Sequence, residues 1–130
     1  MEHKPLDPKT EKIATQIVDA AFTVHRELGA GLLEEVYEDC LCFELRERGL
    51  HHERQQYLPV VYKGLRVPTR LRFDLLVENR VMVEIKAVDT VLPVHEAQVM
   101  TYMRLTNCRL GFLLNFNVVL FKDGISRRIL

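Results

Sequence analysis

The sequence predicts a single α/β (α+β) domain, spanning residues 1–130, in which helices flank a mixed central sheet. Three observations favour this fold class. The chain is long enough for one hydrophobic core and too short for two. Residues 8–48 carry apolar side chains at helical spacing, whereas the residues after Gln55 switch to short runs of β-branched and aromatic side chains. A third helical pattern then interrupts the strands, so the expected order is ααβββαββ.

Two helices are expected before the first strand. Asp7-Pro8 supplies a cap and a proline at the first helical position, and the helical spacing stops at Gly29. The second helix is expected over about 33–48, with Gly49 as its end. One face of this second helix is apolar and the other is strongly acidic.

Three antiparallel strands are expected next, in the segments QYLPVVY, LRVPTRLRFDLLV and VMVEIKAV. Turn signals separate them at Lys63-Gly64 and at residues 78–80. A third helix is expected to open at Pro93 and to run over about 94–106, before two strands, RLGFLLNF and VVLFK, that join near Asn117. The last segment, GISRRIL, would leave a strand edge that a second copy of the chain could cover.

Composition excludes several classes of protein. Hydrophobic residues make up 48% of the chain and charged residues 28%, which is typical of a soluble globular domain. No apolar run is long enough to span a membrane, and the polar start lacks the apolar stretch of a secretory signal, so a cytoplasmic location is expected. The cysteines have neither disulfide nor zinc spacing: Cys40, Cys42 and Cys108.

The net charge of zero argues against non-specific binding of nucleic acid, but the charges alternate in blocks along the chain. Residues 1–45 carry a net −6 and residues 46–72 a net +5, followed by −3 over 73–103 and +4 over 104–130. An acidic pocket beside a basic surface is the arrangement expected of a metal-dependent enzyme that acts on a polyanion. Mixed solvated faces explain the same blocks equally well.

The hairpin that joins LRVPTRLRFDLLV to VMVEIKAV carries the residues that point to chemistry. A three-residue loop pairs Leu75 with Val83. One position along, it pairs Asp74 with Glu84, which sets two carboxylates side by side. Alternation places Lys86 on the same face. The opposite face is then core and carries six apolar side chains: Phe73, Leu75, Val77, Val81, Val83 and Ile85.

Two adjacent carboxylates destabilise a strand pair unless a cation lies near them. Asp74 and Glu84, with the main-chain carbonyl of Ile85, offer oxygen ligands that suit Mg²⁺ or Mn²⁺. Lys86 is placed to orient an attacking water or to stabilise charge on a phosphate. A surface salt bridge of either carboxylate with Lys86 or an arginine explains the same residues.

The arrangement Asp74 … Glu84-x-Lys86, on a hairpin between two helical segments, resembles the signature of the PD-(D/E)XK nuclease superfamily. Phe73 stands where the superfamily name has proline. The superfamily has an αβββαβ core, so the resemblance implies a restriction-endonuclease-like fold. It also implies a nuclease that depends on Mg²⁺ or Mn²⁺ held by Asp74 and Glu84, with Lys86 assisting the attacking water.

The segment GLLEEVY is similar to the motif that names the GxxExxY family, with Gly31, Glu34 and Tyr37 at the required spacing. The likeness runs from about residue 25 to the C-terminus through VEIKAV, VHEAQVMTYMRL, LGFLLNF and KDGISRRIL. It implies that Glu34 joins the metal site; Glu38, one turn later, shares its face. A carboxylate stabilised by the helix dipole is the alternative role for Glu34. Tyr37 is expected to pack rather than to catalyse.

Gln98 and Tyr102 stand four residues apart on the third helix and match the Gln-x-x-x-Tyr signature of the RecB-like branch of these nucleases. The resemblance implies that the Gln98 amide holds Lys86 or a phosphate oxygen. It implies that the Tyr102 hydroxyl contacts the substrate backbone or the attacking water. His95 lies one turn earlier and is expected to be solvated or to cap the helix.

Basic side chains that could bind a phosphate backbone stand at four positions: Arg70, Arg72, Arg127 and Arg128. Lys63 and Arg66 are expected to serve solubility and to protect a strand edge. With no tryptophan and few exposed aromatic side chains expected, no platform for base stacking is evident.

The leading hypothesis is a Mg²⁺- or Mn²⁺-dependent nuclease that hydrolyses nucleic acid, DNA rather than RNA, away from membranes. At this size, a homodimer or a partner protein would supply specificity. One alternative is a non-catalytic nucleic-acid or nucleotide binding module within a larger assembly. Another is an interaction protein whose charged face is an ion-pair network, and divalent-ion binding at Asp74 and Glu84 would count against it.

Overall fold

Three helices and a five-stranded mixed sheet make up the structure, a computed structural model that describes residues 4–130. The helices are α1 (Pro8–Leu28), α2 (Glu34–Glu47) and α3 (Pro93–Thr106). The strands, in chain order, are β1 (His52–Arg54), β2 (Val60–Tyr62), β3 (Leu65–Val67), β4 (Leu75–Val77), β5 (Val81–Lys86), β6 (Leu110–Asn115) and β7 (Ile125–Ile129). Within residues 4–130, none of the helices is long and apolar enough to cross a membrane.

The central sheet has the strand order β1-β4-β5-β6-β7. Strand β4 is antiparallel to both β1 and β5, β6 is parallel to β5, and β7 is antiparallel to β6. The parallel pair needs a crossover connection, which α3 supplies between β5 and β6. A mixed sheet flanked by helices confirms the predicted fold class and is consistent with a restriction-endonuclease-like fold.

Local signals in the sequence define the first two helices. The Asp7 side chain accepts a hydrogen bond from the Lys9 main-chain N at 2.8 Å and caps α1, whose first residue is Pro8. Helix α2 ends just before Gly49, which has a φ of 72° that favours glycine. The predicted bounds of both helices are therefore confirmed to within a residue at each end.

Hydrophobic side chains pack on both faces of the central sheet. Helices α1 and α2 cover the first face, where Leu75 and Val83 are fully buried. Helix α3 covers the second face and buries Leu76 and Met82. The prediction of one apolar and one charged face is therefore wrong for the inner part of the sheet. Phe73, predicted on the first face, packs in the second cluster because β4 begins only at Leu75, so alternation does not extend to it.

The segment VVLFK does not form the predicted strand. Residues Phe121–Gly124 form a short 3₁₀ helix, and the last strand lies in GISRRIL instead. The Phe121 ring is buried against Phe22 and Phe116, with ring centroids 5.1 Å and 4.8 Å away. Burial of this ring in the core outweighs the strand preference of its neighbours.

The two long strands predicted before β5 are shorter in the structure: QYLPVVY forms a strand only at its end, as β2, and LRVPTRLRFDLLV is divided into β3 and β4. Strands β2 and β3 form a separate two-stranded sheet, whereas β1, which was not predicted, joins the central sheet beside β4. Pro59 and Pro68 flank this small hairpin, and because proline has no N–H to donate, the ladder breaks at both. The predicted turn at Lys63-Gly64 is confirmed, with φ of 48° and 82°.

Candidate active site

The β4–β5 hairpin has the predicted register. Leu75 lies opposite Val83, and Glu78 and Asn79 adopt positive φ in the loop. The ladder ends at Leu75, so the next main-chain donor of β5 in this direction needs another partner. The Asp74 side chain provides it through Oδ2, which accepts a hydrogen bond of 2.8 Å from the Ile85 main-chain N.

A hydrogen bond also joins Asp74 directly to Glu84. The Asp74 main-chain N donates a hydrogen bond of 2.9 Å to Glu84 Oε1. Glu84 is only 3% exposed, and its burial together with the nearby Asp74 carboxylate raises its pKa to about 9. Without a cation the folded protein therefore holds Glu84 protonated at neutral pH, and a bound cation would favour the charged form.

The salt-bridge interpretation of this pair is wrong. Within residues 4–130, neither carboxylate has a lysine or arginine nitrogen within 4.0 Å, and Lys86 has no acidic partner at that distance. Lys86 nevertheless lowers the pKa of both Glu84 and Glu34, so its ammonium group lies within electrostatic range of the site. This leaves Lys86 beside the carboxylates and available to a ligand.

Helix α2 brings Glu34 to the same region. The pKa of Glu34 is raised overall, first by partial removal from water and then by the carboxylates of Asp74 and Glu38. The ammonium group of Lys86 acts in the opposite direction. The start of α2 is held by Tyr37, which is fully buried as expected and whose hydroxyl donates to Gly29 O at 2.6 Å. This contact ties the first turn of α2 to the residue that ends α1.

Gln55 was missed in the sequence, yet it connects two parts of the site. Its side-chain Nε2 donates to Asp74 Oδ1 at 2.9 Å and to Glu38 Oε1 at 2.7 Å. Glu38 is 6% exposed and also accepts a hydrogen bond of 2.6 Å from Arg54 Nε. No signal in the sequence identified Gln55, because its position depends on β1 and on its own positive φ of 53°.

Helix α3 places Gln98 and Tyr102 over the second face of the sheet. Gln98 Nε2 donates to the Tyr102 hydroxyl at 2.8 Å, so the predicted pair is in contact. Burial, followed by the charge of Glu84, raises the pKa of Tyr102, and the hydroxyl keeps its proton at neutral pH. His95 caps the helix, as one of the two expectations had it: its Nδ1 accepts a hydrogen bond from the Leu92 main-chain N at 3.0 Å.

The predicted phosphate-binding arginines separate into two groups. Arg72 lines a cleft of about 670 Å³ together with one other arginine, an amide and four carboxylates: Arg54, Gln55, Glu34, Glu35, Glu38 and Asp39. Arg70 is exposed on the same segment. Arg127 and Arg128 lie on β7, at the opposite edge of the sheet, and are paired with Glu11 and Glu96.

The donor set fits a hard divalent cation, although residues 4–130 contain no cluster of three His, Cys, Asp or Glu side chains already converged on one point. Asp74 and Glu84 offer carboxylate oxygens, which Mg²⁺ and Mn²⁺ prefer. Burial, followed by the nearby Asp74 carboxylate, raises the pKa of Glu84, so a negative charge on Glu84 is unfavourable unless a cation lies beside it. A bound cation would relieve that imbalance.

Comparison with known proteins identifies the family. A family model described as the PD-(D/E)XK nuclease superfamily matches residues 11–128. The chain belongs to the PD-(D/E)XK nuclease superfamily. No curated protein and no solved structure matched the chain. The match runs from within α1 to within β7 and so includes Asp74, Glu84 and Lys86, and membership of this superfamily supports a nuclease-like function of the chain.

Proposed function

We propose that this PD-(D/E)XK protein is a divalent-metal-dependent nuclease of the GxxExxY family and the RecB-like branch that hydrolyses phosphodiester bonds, with DNA as its substrate. The observation that carries the proposal is the Asp74–Glu84 pair, in which the Glu84 carboxyl group is buried and neither side chain has a cation within 4.0 Å in residues 4–130, beside the unpaired Lys86. A structural ion pair would have been neutralised within the chain.

The carboxylates of Asp74, Glu84 and Glu34 would hold Mg²⁺ or Mn²⁺, which when bound lowers the pKa of water and polarises the phosphate. Two protein contacts already fix the Asp74 carboxylate: the Ile85 main-chain N and the Gln55 amide. Gln55 therefore orients a ligand side chain rather than binding the ion itself.

Lys86 and Tyr102 act on the substrate in this proposal. The Lys86 ammonium orients the attacking water and stabilises negative charge on the phosphate. The Gln98 amide donates to the Tyr102 oxygen, which leaves the hydroxyl proton of Tyr102 for a phosphate oxygen. Arg70 and Arg72 bind flanking phosphates, whereas Arg127 and Arg128 are held in ion pairs and stay outside the proposed contacts.

A cleavage assay on labelled single- and double-stranded DNA and RNA, with Mg²⁺, Mn²⁺ or EDTA, tests this proposal. We expect metal-dependent cleavage, reduced at least about 100-fold in Lys86→Ala and in Asp74→Ala. Lys122→Ala is the matched control, because Lys122 is exposed and lies on the 3₁₀ helix away from the carboxylates. Equal cleavage by Lys86→Ala and wild type would overturn the mechanism.

A non-catalytic nucleic-acid binding module is the second candidate function. Both Asp74 oxygens already accept hydrogen bonds from the protein, so this carboxylate is satisfied without a metal. Calorimetric titration with Mn²⁺ separates the two functions. Metal binding that disappears in Asp74→Asn supports the nuclease, whereas nucleic-acid binding with neither metal binding nor cleavage supports the module.

Specificity beyond the scissile phosphate is proposed to come from a second copy of the chain or from a partner protein. The exposed edge of β7 is the surface that a second copy could extend. Sedimentation of the purified protein with and without nucleic acid measures which assembly forms.

A further inference from the structure

The segment 56–73, which we call the arm, projects from the central sheet. Strands β2 and β3 pair only with each other in their own sheet. Leu58 and Phe73, both buried in the cluster under α3, anchor the base of the arm. Outside this base most side chains of the hairpin are exposed, and within its two strands only Val60 and Val67 are half-buried.

The arm has a strong positive charge that the protein does not neutralise. It contains four basic residues and no acidic residue: Lys63, Arg66, Arg70 and Arg72. All four are exposed, and none has an acidic partner within 4.0 Å in residues 4–130. Five other arginines do form such pairs: Arg48, Arg54, Arg80, Arg127 and Arg128. The unneutralised charge makes the arm complementary to a polyanion.

Two tyrosines stand among these charges. Tyr57 is 62% exposed and Tyr62 is 61% exposed, so the arm carries two rings open to stacking, which was not predicted. Lys63 Nζ lies 5.5 Å from the centre of the Tyr62 ring, and Arg72 Cζ lies 5.6 Å from the centre of the Tyr57 ring. Each exposed ring thus has a cation beside it, which is the combination that binds a base and its phosphate together.

The arm leads directly into the candidate active site. Arg70 and Arg72 precede Asp74 on the same chain segment, and four residues of extended chain span about 13 Å. Arg72 also lines the cleft that contains Glu34. On the other side, Leu71 lines a shallow pocket with Gln98 and Tyr102. A strand bound along the arm would therefore lead from the basic surface directly to the carboxylates.

We propose that the arm is a binding platform for single-stranded nucleic acid, in which bases stack on Tyr57 and Tyr62 while phosphates contact the four basic side chains. Stacking on exposed rings needs bases that are free of a duplex, so the arm selects single strands or unpaired ends. This inference rests on the proposed function in that the bound strand is the substrate of the same site. The unpaired cations favour a polyanion over an apolar protein partner.

Fluorescence anisotropy in EDTA tests binding separately from metal-dependent cleavage. The probes are a labelled single strand of about 12 nucleotides and a duplex of the same sequence. For the variant Tyr57→Ala/Tyr62→Ala, we expect the affinity for the single strand to fall at least about tenfold. Tyr57→Phe/Tyr62→Phe should recover it, because the stacking faces remain. Phe43→Ala is the control, since Phe43 is 52% exposed on α2 outside the arm.

The salt dependence of binding distinguishes stacking from phosphate binding. Replacing Lys63 and Arg66 with alanine should reduce the slope of log affinity against log salt by about 0.7 for each phosphate that is no longer neutralised. The tyrosine double variant should leave that slope unchanged. Circular dichroism melting curves verify that both variants fold, which is expected because the substituted side chains are exposed.

Three results would overturn the platform. They are an unchanged single-strand affinity in Tyr57→Ala/Tyr62→Ala, tighter binding of the duplex than of the single strand, and loss of self-association as the sole effect of that variant. Failure of the nuclease proposal looks different: the protein would bind the single strand through the tyrosines and yet cleave nothing with Mg²⁺ or Mn²⁺. In that case the platform holds and the chain is a binding module.

Discussion

The β4–β5 hairpin and the arm are both antiparallel hairpins with positive φ in their turns, but their charges lie in opposite environments. In the first, Glu84 is 3% exposed and Asp74 uses both carboxylate oxygens within the protein. In the second, Lys63 and Arg66 are exposed and unpaired within residues 4–130. Burial makes a charge depend on a nearby counter-charge, whereas solvation leaves it available at little energetic cost. The comparison separates a site that reacts from a surface that binds.

The largest effect is expected at Lys86, which borders the buried hairpin. Lys86→Ala should lower kcat about a thousandfold, about 4 kcal/mol in the activation barrier, because the transition-state charge loses its ammonium partner. In the arm, Lys63→Ala should raise KM and leave kcat nearly unchanged. Steady-state kinetics on a labelled strand measure both values, and equal kcat losses in the two variants would remove the distinction between the hairpins.

The stability of the two hairpins should also differ. Leu75→Ala empties a fully buried position and should lower the free energy of unfolding by about 3 kcal/mol. Leu65→Ala, at a position 63% exposed in the arm, should change it by less than about 0.5 kcal/mol. Urea denaturation followed by circular dichroism compares them. Similar losses would mean that the arm is part of the cooperative core.

The buried carboxyl group makes a pH-dependent contribution. Because the pKa of Glu84 is about 9 in the folded protein against 4.5 for the free group, the folded state holds the extra proton between these values. The free energy of unfolding of the metal-free protein should therefore fall as pH rises from about 4.5 to 9. Glu84→Gln should flatten this fall and stabilise the metal-free protein at pH 7 by about 3 kcal/mol, because pH 7 lies about 2.5 units above the pKa of the free group. Thermal melts across this pH range, with and without Mg²⁺, measure it.

Magnesium should raise the melting temperature of the wild-type protein most at the high end of the same pH range, where binding no longer displaces a proton from Glu84. Glu84→Gln should lose this metal response. A wild-type melting temperature that is constant from pH 5 to 9 would contradict the assigned burial of an unpaired carboxyl group.

The smallest expected effect is at Gln55, which acts through Asp74. Gln55→Ala should weaken Mn²⁺ binding about tenfold, because the Asp74 carboxylate loses one of the two hydrogen bonds that orient it. Calorimetry measures the affinity, and the melting temperature of the same variant separates positioning from general destabilisation. Gln56→Ala is the matched control, since the exposed Gln56 side chain donates its one hydrogen bond within residues 4–130 to the main-chain O of Arg54. Equal metal affinity in both variants would assign Gln55 a role in packing alone.

Short-range patterns were enough to predict much of the fold and part of the site. The cap at Asp7 and the turn at residues 78–80 led to the bounds of α1 and to the register of Leu75 with Val83, both of which the structure confirms. Gln98 and Tyr102 lie one helical turn apart on one face, as their spacing indicated, and a hydrogen bond that was not predicted joins them. In each case the interacting residues are close in sequence, so local geometry decides the contact.

The failures concern residues whose environment comes from remote segments. VVLFK has strand-forming residues, but Phe121 packs against Phe22 from α1, about a hundred residues earlier in the chain. The second face of the sheet was predicted to be charged because Glu84 and Lys86 alternate onto it. The sequence does not show that α3 covers the inner part of this face. That the basic side chains of the arm have no acidic partner within 4.0 Å in residues 4–130 could not be predicted either, because the sequence does not show which acidic side chain lies beside an arginine.

By itself, the sequence determined the helices, the β4–β5 register, the placement of Glu84 and Lys86 on one face, and membership of the PD-(D/E)XK superfamily. Only the tertiary structure decided that Gln55 joins Glu38 to Asp74, and that the arm keeps its cations unpaired beside exposed tyrosines. The physical reason is the separation along the chain over which each interaction acts. Backbone geometry and side-chain periodicity act over a few residues, whereas burial and charge pairing depend on which distant segments pack together.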